Sequence, residues 1–149
     1  MNKIFKIDCA LYPLGLLTAV TGFAMHIAGH ANDFHTWVVW AYLHSIIAIS
    51  FTIMVINHLR THAAWCKMLI QGALCRKQKI TLILGVIAAA TVATGLALFA
   101  ISGANSHIGL LHYKLGIVLT IFMAGHSIKR FHIIKKAVLQ QPKTRNNAQ

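Results

Sequence analysis

The chain has 149 residues with 14 lysines and arginines against two acids, a formal net charge of +12, yet 57% of it is hydrophobic and only 11% charged. Mean hydropathy is +0.65. Soluble domains are about half apolar and a quarter charged, so the composition excludes an ordinary soluble protein and fits one membrane domain.

The first ten residues carry Lys3 and Lys6 ahead of an apolar run from Leu11 to about Gly29. That run is long enough to span a bilayer and ends without a small-x-small cleavage site, so it is expected to be a retained transmembrane helix and not a removed signal. Pro13 is expected in its first turn, where a missing N–H costs little. Residues 30–36 interrupt the run, with Asn32 and Asp33 as turn and cap residues. A second span is expected over 36–62, opened by the interfacial aromatics Trp37, Trp40 and Tyr42. Residues 63–79 hold Trp65, Lys67, Arg76, Lys77 and Lys79 and suit a cytoplasmic connection, or a short interfacial helix. A third span is expected over 80–101 and a fourth over 107–134, with Ser106 placed to cap the fourth. Residues 1–140 then form one all-α, four-helix transmembrane domain, and 141–149 a polar basic tail expected to be disordered.

All the lysines and arginines except Lys114 fall on one side of these spans. Both termini and the middle connection are therefore expected in the cytoplasm, with 30–36 and 102–107 outside. Basic residues confined to such flanks are not a nucleic-acid-binding face, so no nucleic acid partner is expected. Cys9, Cys66 and Cys75 form no CxxC or CxxCH motif, which excludes a zinc knuckle and a c-type haem attachment. They read as reduced, unpaired cysteines near the cytoplasmic face.

The chain repeats itself. Thr18-x2-Thr21-Gly22-x-Ala24 recurs as Thr91-x2-Thr94-Gly95-x-Ala97, at an offset of 73. Leu43-His44, Ile49, Thr52, Ile53 and His58 recur as Leu111-His112, Ile117, Thr120, Ile121 and His126, at an offset of 68. The pattern reads as a duplicated helical hairpin in which the second and fourth helices run parallel. Fourteen residues rise about 21 Å and return a side chain to within roughly 40° of its starting direction. Each of these helices thus presents two histidines on one face at two depths. His44 is expected level with His112 near the outer side, and His58 level with His126 near the inner side.

Two imidazoles facing each other at one depth are what a six-coordinate haem iron needs, and two such pairs would offer two haem sites stacked across the membrane. Polar side chains in a span are costly, so intramembrane histidines are functional candidates. Gly22, Gly95, Gly116 and Gly125 would make room for the macrocycles, or serve close helix packing. Arg60 and Arg130 are placed for inner propionates and Lys114 for outer ones; the arginines serve equally as positive-inside flanks. His62 lies eighteen residues from His44 and could replace His58, but its counterpart Arg130 breaks the pairing. His26 and His30 have Phe99 and Gly103 as counterparts, so the repeat does not support them as ligands. They could line a quinone or partner site, or be interfacial, as His35, His107 and His132 are.

The double H-x13-H motif on the second and fourth helices resembles the haem-binding core of the cytochrome b superfamily. The stretch Gly103-Ala104-Asn105-Ser106-His107-Ile108-Gly109-Leu110-Leu111-His112-Tyr113-Lys114-Leu115-Gly116 is similar to small bacterial flavinylation-associated cytochromes. The resemblance covers about residues 10–136. It implies a di-haem cytochrome of the bacterial cytoplasmic membrane, passing electrons between the quinone pool and an extracytoplasmic redox protein, with His44, His58, His112 and His126 as ligands. The quinone-site sequences of larger respiratory cytochromes are absent. No catalytic residue of its own is evident, and no carboxylate is expected within a span. Electron transfer would need a redox partner or a homodimer. Two other readings stand beside this one: a histidine-rich divalent-metal carrier, which the fourteen-residue spacing disfavours, and a haem-free membrane anchor, which leaves the paired histidines unexplained.

Overall fold

A computed structural model describes residues 3–64, 67, 76–101 and 106–139, with side chains at 6–64, 67, 79–101 and 106–128. Its helices are α1 (Lys3–His30), α2 (Phe34–Thr61), α3 (Arg76–Leu98) and α4 (His107–Leu139). Among the described residues, four stretches are long and apolar enough to cross a membrane: Lys6–His30, Phe34–Thr61, Lys79–Leu98 and His107–Ile128. Cys66, Cys75, Trp65, the tail after Leu139 and the side chains of Lys129, Arg130 and His132 lie outside the described residues.

The chain is a four-helix bundle in which α1 packs against both α2 and α4, and α3 packs against α4. Its burial is inverted relative to a soluble protein. Val39, Tyr42, Ile46, Ile49, Ile53 and Ile56 are exposed along α2, and Leu110, Ile117, Ile121 and Ile128 along α4. Steps of three, four and seven place each set on one helix face. In water such stripes would be strongly unfavourable; in hydrocarbon they cost nothing. Thr21 and Ala28 of α1 are buried to 5% and 6% exposure, where the helix meets its neighbours.

The turns follow local chemistry. Asn32 takes φ 53°, the left-handed conformation asparagine tolerates, and Asp33 N–H donates to the Ala28 carbonyl at 3.3 Å. This six-to-one bond closes α1 as a Schellman motif. The Asp33 carboxylate then accepts from Thr36 N–H at 3.1 Å and caps α2. Ser106 Oγ accepts from Gly109 N–H at 3.0 Å and caps α4, as its position predicted.

Two of the boundaries that differ from expectation bear on the site. The first helix starts at Lys3 and not near Leu11, because Ile4, Phe5 and Ile7 extend the apolar run. Pro13 accordingly sits inside α1, well past its first turn, and leaves the Cys9 carbonyl without its helical donor. The first apolar span also includes Asp8, so a carboxylate does lie within a span. At the other boundary α3 ends at Leu98 and not at residue 101. Phe99, Ala100 and Ile101 donate to Leu96, Ala97 and Leu98, tightening the end into three-residue turns.

Candidate functional site

Histidine chemistry in the bundle begins with four threonines. Thr18 and Thr21 of α1 donate their hydroxyls back to Leu14 and Leu17 at 2.7 and 2.8 Å. Thr91 and Thr94 of α3 do the same to Ile87 and Ala90 at 2.8 and 2.9 Å. With their hydrogens used, these hydroxyls are left as acceptors.

His44 of α2 meets the first pair. Its Nδ1 lies 3.1 Å from the Thr18 carbonyl and 3.1 Å from Thr21 Oγ1. His112 of α4 meets the second, its Nδ1 3.0 Å from the Thr91 carbonyl and 3.1 Å from Thr94 Oγ1. A carbonyl oxygen only accepts, so each Nδ1 carries the hydrogen and each Nε2 is left with a lone pair. Glycine completes each seat. A Cβ on Gly22 would lie 3.0 Å from Cε1 of His44, and one on Gly95 would lie 3.0 Å from Cε1 of His112. The T-x2-T-G motif is thus the cradle of the histidine that follows it, given twice.

The two rings come together across the bundle. The centres of His44 and His112 are 6.1 Å apart, with planes at 78°. Both side chains are half-buried.

At the terminal end of the bundle, where α1 begins, the surroundings change. His58 Nδ1 donates to Asp8 Oδ1 at 2.8 Å. The His62 ring lies beside His58 with centres 4.8 Å apart. His126, half-buried on α4, lies fourteen residues beyond His112. Arg60 lines a cleft with Ile7, Asn57 and Thr61 at this end. Between the two ends Gly15 is buried, and a Cβ there would press on Met123 of α4 and Phe51 of α2.

The remaining histidines sort by position. His26 stacks on Tyr113, next to His112, with centres 3.7 Å apart and planes at 14°. It also touches His30 at 4.2 Å. His30, His35 and His107 are exposed, as is Lys114. Gly116 and Gly125, read as candidates beside a cofactor, have nothing within 4 Å of an added Cβ.

What can such a site hold? A bare zinc or nickel ion takes three or four protein ligands. Among the described residues, no group of three or more histidines, cysteines or acids could hold a metal. A haem would need only two, and His44 and His112, with ring centres 6.1 Å apart and each Nε2 left with its lone pair, are the residues that would hold it. A ligand histidine that gives its other nitrogen to a carbonyl is the usual support for a metal–imidazole bond.

Sequence reasoning missed Asp8, because the first ten residues read as a polar flank. It saw the threonine motif as a sign of repetition and not as the histidine's partner. Compared with known proteins, the chain matches no family model, no curated protein and no solved structure.

Proposed function

We propose that the protein is a di-haem b-type cytochrome of the bacterial cytoplasmic membrane, built from a duplicated helical hairpin with both termini in the cytoplasm. The observation that carries the reading is the His44–His112 pair, 6.1 Å apart and each tied through Nδ1 to a threonine carbonyl. His44 and His112 would hold one haem and His58 and His126 the other. Each haem, when bound, supplies a one-electron couple.

The protein's own part is placement. Thr18 and Thr91 fix the tautomer and orientation of the outer imidazoles, so that little reorganisation accompanies a change of charge. Gly22 and Gly95 let the rings lie close to α1 and α3. The aliphatic stripes on the outside suit the bundle to a lipid surround. The one-sided lysines and arginines orient the bundle with His58 toward the cytoplasm. The fourteen-residue step sets the two depths about 21 Å apart, across the apolar core. The quinone pool and an extracytoplasmic redox protein are the expected partners, and a homodimer is compatible with the exposed helix faces. The divalent-metal reading lacks a three-ligand cluster among the described residues.

A dithionite-reduced minus oxidised visible spectrum of the purified protein tests this, together with metal analysis. A b-type band with bound iron is expected. A colourless protein, or one carrying zinc or nickel in place of iron, refutes it.

A further inference from the structure

The two ends of the bundle treat their histidines differently. At the His44–His112 end, both Nδ1–H groups meet neutral acceptors, a backbone carbonyl and a hydroxyl. At the terminal end, His58 Nδ1–H meets the carboxylate of Asp8 at 2.8 Å. The asymmetry is written into the repeat: at the offset of 73 that aligns Thr18 with Thr91, Asp8 aligns with Thr81. The contact is partly sheltered, with 29% and 22% of the two side chains exposed. The nearest cations in sequence, Lys6 and Arg60, are exposed and oppose Asp8 through water and salt.

A carboxylate on one imidazole nitrogen pushes electron density onto the other and makes it a stronger donor. A stronger donor and a nearby negative charge both favour the more positive oxidation state of a bound iron. We infer that Asp8, acting through His58, is a positioning residue that sets the inner haem site at a lower reduction potential than the outer one. The inference rests on the proposed function and adds a gradient to it, lower at the Asp8 end.

The test is an optical redox titration of the purified full-length protein, its Asp8→Asn and Asp8→Glu forms, and His112→Ala. The wave that survives in His112→Ala belongs to the inner site, and in the wild type it titrates below the outer wave. Asp8→Asn keeps an acceptor for Nδ1–H but loses the charge. It raises the ferrous-to-ferric ratio of the inner site about tenfold at a fixed potential, or about 59 mV for a one-electron couple, and leaves the outer wave in place. Asp8→Glu keeps the inner wave the lower of the two. An inner wave at or above the outer one in the wild type overturns the inference, as does an Asp8→Asn form in which it stays or falls. A wild type without haem overturns the proposed function itself, and this inference with it.

Discussion

The His44 imidazole lies against the bare Cα of Gly22, so that an added Cβ would come within 3.0 Å of its Cε1 and 3.3 Å of its Nδ1. The Nδ1 contacts to Thr18 and Thr21 limit how far the ring can retreat. Gly22→Val should therefore displace His44 and lose the outer haem while the inner one stays. Gly95→Val should do the same through His112. Gly85→Ala, where an added Cβ meets nothing within 4 Å, serves as the control and should retain both haems. Haem content per chain, read from the visible spectrum, checks all three.

Thr21 and Thr94 offer a graded test of the same cradle. Valine keeps the shape and removes the hydroxyl acceptor, while the carbonyls of Thr18 and Thr91 still hold Nδ1–H. Each Thr→Val change should cost about 0.5–1.5 kcal/mol of haem-site stability, the net worth of one hydrogen bond. His44→Ala should instead abolish the outer site. Haem retention during stepwise heating in detergent separates the two outcomes; equal loss in Thr21→Val and His44→Ala would speak against this division of roles.

The ring planes of His44 and His112 stand at 78°. Imidazoles held near perpendicular interact with two different iron π orbitals almost equally, which leaves those orbitals close in energy. The oxidised outer haem should give a strongly anisotropic low-spin electron paramagnetic resonance signal, absent in His112→Ala. A signal of the parallel-imidazole kind from that site would contradict the ring geometry.

Asp33 gives a pH dependence at the turn. Hydrogen bonds from Thr36, side chain first and backbone second, hold its carboxyl below the ordinary value. A lowered folded-state pKa means that the cap contributes above the unfolded carboxylate range and fades as pH falls through the folded value. Protection of the Thr36 amide, its exchange rate relative to the intrinsic rate at the same pH, should fall on acidification through that window. Asp33→Asn, which still caps but does not titrate there, should flatten the dependence.

Much of this arrangement is legible in the sequence, for reasons particular residues make plain. The apolar runs mark the helices because a bilayer demands them, and Asp33 and Ser106 mark two starts because capping is local chemistry. The histidine spacing marks faces because helical rise and twist are fixed. Where the reading fell short, longer-range contacts decided. The Asp8–His58 bond joins residues fifty apart, and no spacing rule foretells it. The His26–Tyr113 stack depends on how α1 and α4 slide past each other. The T-x2-T-G motif did carry a signal, since it repeats together with the histidines, but its meaning needed the distance from Nδ1 to the carbonyl.

In the proposed function, His44 with His112, and His58 with His126, each hold one haem. Haem-to-protein stoichiometry in the wild type and in His112→Ala tests it most directly. Two haems per chain falling to one is the predicted result; a wild type with no haem, or a His112→Ala form that keeps both, would contradict it.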